Sequence, residues 1–340
     1  MTNSHRRIAL LTGASLTALG MTALTASPAL AAPHDALADG TYTGIDTTAA
    51  VLTICEIASD ADSVPNSPCF SGVIDTATPL ASAVVNSALN GQIYQHDTGA
   101  AVALHMINGG SAEVGAIAQA SGSLFNTAFA SENVPIRQQA SGSDISLTID
   151  NNGPLLLDAV ASATGTFANA HAYQHGGYQA IHAATDANIV FNNNDDMTVL
   201  ASANAHGTFA HAYATLSFGY AQNASSIAGD ADVTFNNDGN LTIDAVANAT
   251  GVNARATANL NAGGLTQFVA GTGSDNAVSA SLNNSADGVI NIDAIANASA
   301  SAYATANANL NNGVWQRVTG SVGADANATV DNRAYRHVRR

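Results

Sequence analysis

The chain has 340 residues and a formal net charge of −16, set by 25 acidic residues against nine arginines, with no lysine. Its 46% hydrophobic content, mostly alanine, and only 10% charged residues exclude the composition of a disordered chain. A net field of this sign repels nucleic acid and anionic membrane, and nothing after residue 31 approaches the roughly 20 apolar residues of a membrane-spanning helix.

Residues 1–31 read as a secretory signal peptide. Arg6 and Arg7 form its positive end, Ile8 to Ala26 a mostly apolar middle, and Ala29-Leu30-Ala31 the small-residue cleavage site. An uncleaved anchor is the competing reading, and the Thr, Gly and Ser residues that interrupt the apolar run weigh against it. Cleavage would leave seven arginines against 25 acids, a net charge of −18. Residues 32–80 read as an N-terminal cap that closes an exposed strand edge. Both cysteines fall there, and in an exported chain Cys55 and Cys69 are expected to form one disulfide around a patternless loop with two prolines. Loop closure makes such a bridge worth about 3 kcal/mol.

From residue 81 to residue 332 one pattern recurs. In Leu241 to Thr250, the residues Leu241, Ile243, Ala245, Ala247 and Ala249 alternate with polar or branched ones, so an extended strand would carry them on one face. The pattern returns at Ala112 to Ser121, Leu155 to Thr164, Met197 to His206 and Ile290 to Ser299. The slot of Asp244 is held elsewhere by Gly115, Asp158, Leu200 and Asp293, at spacings of 43, 42, 44 and 49 residues.

Each unit opens on a turn rich in Asn, Asp and Gly, such as Asn236 to Gly239, whose side chains favour left-handed backbone and local hydrogen bonds. After the alternating strand, Gly165, Gly207 or Gly251 marks a change of phase in the alanines, which predicts a turn or bulge that keeps them on the inner face. The unit that starts at Ile290 lacks this glycine. A second small-residue turn with a glutamine, as in Gly263 to Gln267 and Gly313 to Gln316, and a last strand complete the unit. Alanine favours helix, but its alternation with Asn, Ser and Thr would spread polar groups over every helical face. The expected fold is all-β: a repeat protein of β-solenoid or β-helix type, with two coils in each ~43-residue unit. Repeated antiparallel β units in an extended sheet are the alternative.

The sequence offers little catalytic chemistry. His171, His175, His182, His206 and His211 cluster in two units, but residues four apart on a strand stand about 13 Å apart, too far for one metal. Pairing between units would bring His171 near His211 or Tyr213. Asp195, Asp196 and Asp238 sit in turns that lack the glycine spacing of a calcium β-roll. Asp158, Asp244 and Asp293 read as one structural slot, not as the paired carboxylates of a glycoside hydrolase. No catalytic residue, cofactor or metal site is therefore expected. Two structural sets are: side-chain ladders through Asn248 and Asn297 and through Gln267 and Gln316, and an outward apolar stripe of Ile117, Val160, Val246 and Ile295. Burial of that stripe by a second sheet, or by another molecule, is expected.

The Asn turn, the Ala-x-Ala-x-Ala strand and the Gly-x-x-Gln segment together make residues 81–332 resemble the alanine- and asparagine-rich β-strand-repeat surface proteins of alphaproteobacteria, which are adhesin-like or autotransporter-passenger-like. Ile93 to Val102 is more weakly similar to curlin-type repeats. These 340 residues are not expected to include a translocating barrel, a departure from autotransporters. The basic tail, residues 333–340, reads either as solvated or as docking to an acidic neighbour. The resulting expectation is a non-catalytic protein, secreted or at the cell surface, acting as an adhesin or as a component of an extracellular fibre or matrix. Self-association into fibres and a surface glycan or protein are its expected partners. A secreted carbohydrate-active β-helix enzyme is the alternative.

Overall fold

The computed structural model describes residues 52–56, 80–87, 93–108, 112–274, 276–321 and 323–333. The signal segment 1–31, Cys69, most of the segment read as a cap and residues 334–340 lie outside the described residues. Among the described residues every regular element is a strand, and the strands group into six coils. The first holds β1 (Leu52–Glu56), β2 (Leu80–Ser87) and β3 (Ile93–Asn108), and the second β4 (Ala112–Ser121), β5 (Phe125–Glu132) and β6 (Ile136–Asn151). The third holds β7 (Leu155–Thr164), β8 (Phe167–Gln174), β9 (Gly177–Ala183) and β10 (Ala187–Asn193). The fourth holds β11 (Met197–Leu216), β12 (Tyr220–Ser226) and β13 (Ala231–Asn237), and the fifth β14 (Asn240–Leu260), β15 (Leu265–Gly271) and β16 (Ala277–Asn284). The sixth holds β17 (Val289–Leu310), β18 (Val314–Thr319) and β19 (Asp325–Asn332).

Successive coils lie side by side. Gly115 pairs with Asp158, Asp158 with Leu200, Leu200 with Asp244, and Asp244 with Asp293, all in parallel strands. A nine-stranded sheet results from β1, β2, β4, β5, β7, β8, β11, β14 and β17, and a ten-stranded sheet from the remaining strands.

This arrangement corrects the architecture expected from the sequence. Every described strand pair is parallel, which rules out antiparallel units, and a unit makes one circuit that visits both sheets, not two small stacked coils. The molecule is a nearly closed parallel β-helix, or barrel, and not a stacked-repeat solenoid. The misleading signal was the glycine. It bends a strand without reversing it, so β11 and β14 run on for 20 and 21 residues through the phase change. A Cβ at Gly207 would meet the carbonyl oxygen of Gly165 at 1.8 Å, and one at Gly251 that of Gly207 at 1.8 Å, so neither position admits a side chain. In the sixth coil Ala300 takes the slot beside Gly251, and Ser301 and Ala302 stand opposite Val252 alone. That extra residue is a bulge, and it explains why the alanines from Ala294 to Ala308 stay in one phase.

Alanines of both strand halves face inward: Ala201, Ala203 and Ala205 before the bend and Ala210, Ala212 and Ala214 after it are buried. Alanine removes little apolar area per residue, so larger groups line the remaining interior. Phe191 and Phe235 stack at 4.8 Å, with the Tyr220 ring 4.4 Å from Phe191. Gly177 lies beside Tyr220, and a Cβ there would come within 2.4 Å of the Tyr220 ring, so the smaller residue in one coil makes room for the larger in the next.

Candidate functional site

The nine-stranded sheet has an outer surface as regular as its inner one. On the half formed by β5, β8 and the C-terminal parts of β11, β14 and β17, the outward residues fall into rows that cross the coils. One row is Phe125, Phe167, Phe209, Asn253 and Tyr303. The next is Thr127, Asn169, His211, Arg255 and Thr305, and the third Phe129, His171, Tyr213, Thr257 and Asn307. Phe125, Phe167 and Phe209 stack at 4.5 and 4.8 Å with nearly parallel rings, and Phe209 and Tyr213 are 40% and 41% exposed. Aromatic rings at such exposure are a departure from burial and mark recognition surfaces.

Between the second and third rows lies an open cleft of about 190 Å³ lined by His171, His211, Tyr213, Arg255 and Thr257. His171 and Tyr213 approach to 5.8 Å between ring centroids, and Asn259 donates to the Tyr213 hydroxyl at 2.9 Å. Burial, and then the charge of His211, lower the pKa of His171. At the end of the face the His175 ring nitrogen is 2.7 Å from the Tyr173 hydroxyl, and burial lowers the pKa of His175. The strand segments and bends of this half carry one acid, Glu132, which is buried on the inner side. Among the described residues no carboxylate pairs with Arg255. The face thus holds an arginine, imidazoles and aromatic rings in a chain that is acidic overall.

Of the histidines singled out in the sequence, His171 and His211 meet here, whereas the apolar stripe lies elsewhere. Ile117, Val160, Val246 and Ile295 are lateral neighbours on the other half of the same outer surface, with Ser202 interrupting them in β11. Among the described residues the ten-stranded sheet covers the opposite, alanine side, and no second sheet buries this stripe. Ile295 is 40% exposed and the other three are half-buried against their neighbours. Cys55 belongs to β1, paired with Gly115 of β4, and its proposed partner Cys69 is outside the described residues. Arg333 of the basic tail pairs with Asp331 at 2.7 Å.

Asn297 donates to Asn248, and Asn248 to Asn204, each at 2.9 Å on the outer surface. Gln316 donates to Gln267, Gln267 to Gln222, Gln222 to Gln179 and Gln179 to Gln138, at 2.8 to 3.1 Å in the interior. From Gln179 to Gln316 the second proton of each amide goes to a backbone carbonyl of the neighbouring strand in the same coil, as from Gln222 to Thr234 at 3.1 Å and from Gln267 to Ser281 at 3.0 Å. Sequence reasoning missed a longer ladder. Asn108 donates to Asn151, and the series continues through Asn193, Asn237 and Asn284 to Asn332. It runs opposite in sense to the glutamine ladder, so the amide dipoles of the two oppose one another. These asparagines were legible only as turn formers, and the Phe row was legible in the 42-residue spacing of Phe125, Phe167 and Phe209.

No group of three or more His, Cys, Asp or Glu residues suited to a metal ion occurs among the described residues, and no helix there is long and apolar enough to cross a membrane. The fold and the face define a parallel β-helix with an outer surface of aromatic rings, imidazoles and an arginine. Compared with protein-family models, curated proteins and solved structures, the chain finds no match.

Proposed function

We propose that the chain is a non-catalytic, exported structural and interaction protein of the cell surface, an adhesin or a component of an extracellular fibre or matrix. The signal-like segment 1–31 and the resemblance of residues 81–332 to bacterial β-repeat surface proteins support the location. One observation carries the fibre reading: the sixth coil is an open rim. Among the described residues β17, β18 and β19 each pair on one side only. Leu310, Val314 and Val330, at positions whose counterparts in the fifth coil, Leu260, Leu265 and Leu282, are buried, are exposed on that rim. Open parallel edges of this length are templates for pairing, and the glutamine ladder offers the Gln316 carbonyl as its next acceptor.

The test is negative-stain microscopy of the purified protein over a range of concentrations. Filaments or end-to-end rods that lengthen with concentration are expected, and Leu310→Lys with Val330→Lys should abolish them by placing charge on the rim. Single short rods at every concentration would remove the fibre reading and leave a monomeric adhesin.

A further inference from the structure

The acid-free outer face has the chemistry of a binding site for a chain of anionic rings. Its phenylalanine row ends at Phe209, carries the short polar Asn253 in the fifth coil, and resumes with Tyr303 in the sixth. Neighbouring coils are about 4.8 Å apart, so Phe209 and Tyr303 flank a gap of roughly 9.6 Å, room for one ring of a ligand between two aromatic walls. Asn253 forms the floor, with an amide that can bond a hydroxyl. Two residues further along β14, about 6.6 Å away, stands Arg255, with His211 beside it in register and no described carboxylate to occupy it. A carboxylate on the inserted ring reaches that pair. Rows of Thr, Asn, His and Tyr continue over the neighbouring coils, so the surface accepts further units of a polymer, not an isolated small molecule.

The charge pattern is selective. The nearest carboxylates of the same sheet, Asp158, Asp244 and Asp293, lie beyond the glycine bend, and Glu132 faces the interior. The titratable groups facing Arg255 are His171, His211, Tyr213 and Tyr303, with His175, Tyr173 and His206 at the margins. The net negative charge of the chain disfavours a polyanion over most of the described surface, and this face holds one more tightly as His171 takes up a proton.

We propose that this face binds an acidic polysaccharide, with a uronic-acid ring between Phe209 and Tyr303 and its carboxylate held by Arg255 and His211. This rests on the reading of the chain as a surface interaction protein and names the ligand class of its face.

Titration calorimetry of the full chain with oligogalacturonate, with neutral dextran as comparison, tests it. Binding of the oligogalacturonate alone is expected, weakening with salt and tightening as pH falls below the ordinary histidine value, where the partly buried His171 takes up its proton. Arg255→Gln should weaken it about tenfold, the weight of one charge-assisted contact, and Phe209→Ala should weaken it further. Arg317→Gln, in β18 of the other sheet, should leave it unchanged. Circular dichroism of each variant separates loss of binding from loss of fold.

Absence of binding at every pH, equal binding of dextran, or binding that survives Arg255→Gln combined with His211→Gln would overturn the proposal. So would a single-stranded DNA homopolymer that competes as well as the oligogalacturonate, since it would mark a nucleic-acid site. Filament formation is read separately, so failure here leaves the fibre reading standing. Cleavage of the oligogalacturonate would overturn the non-catalytic reading itself.

Discussion

Stacking in register places like beside like, and for a charged residue that is costly. Asp244 lies beside Asp293 in the next coil, and one of its carboxylate oxygens is buried without a hydrogen-bond partner. Burial, and then the charge of Asp293, raise the Asp244 pKa above the ordinary carboxylate value. The folded state therefore binds this proton more tightly than the unfolded chain, and ionised Asp244 destabilises the fold at neutral pH. As pH falls through the raised value the penalty is relieved, and below the ordinary carboxylate range it is gone. Asp244→Asn is expected to raise the melting temperature at pH 7, since an amide can donate to Asp293 where a carboxylate repels it. The gain should shrink as pH falls and vanish near about pH 3.5. Thermal unfolding of the two proteins at both pH values checks this, and an equal or lower melting point for the variant at pH 7 would refute it.

At the scale of the strand, the glutamine ladder joins elements in two directions. Gln222 accepts from Gln267 at 2.9 Å, donates to Gln179 at 3.1 Å, and donates again to the Thr234 carbonyl of β13 at 3.1 Å. It therefore ties coil to coil and, within one coil, β12 to β13. Gln222→Ala leaves buried groups on three neighbours without partners, and at about 1–3 kcal/mol for each such group the loss should be at least about 3 kcal/mol. Gln316→Ala, at the last rung, has a coil on one side only and should cost less. Urea denaturation of both variants measures the difference, and equal losses would mean that the ladder is not cooperative.

How far such elements were legible in the sequence depended on what set them. The spacings of Asp158, Leu200, Asp244 and Asp293 follow the register of the strands, because period-2 alternation admits no slip of a single residue without exposing the alanines. Strand direction and the path of each coil were not legible. They depend on whether Gly207 reverses the chain or only bends it, and that is decided by the close approach of the Gly165 carbonyl in the neighbouring coil. The face was partly legible: the pairing of His171 with Tyr213 follows from the repeat, but the separation of Arg255 from the described acids follows only from which residues point outward.

Across the whole molecule, each coil contacts its neighbours through parallel ladders, so local stability should follow the number of neighbours a coil has. The fourth coil lies between two others, and its inner residues Met197, Val199 and Ala201 are fully buried. In the sixth coil the corresponding Ile290, Ile292 and Ala294 are only partly buried, and the free edges of β17, β18 and β19 have no further described strand to bond. Native-state hydrogen exchange at low protein concentration should therefore show the slowest amides in β11 and β14 and the fastest strand amides in β17, β18 and β19. Raising the concentration into the range where rods lengthen should slow the sixth-coil amides selectively, because a second molecule would cover the same edge. If the rods lengthen while those amides exchange as before, the joining surface lies elsewhere, and the outward stripe of Ile117, Val160, Val246 and Ile295 becomes the surface to test.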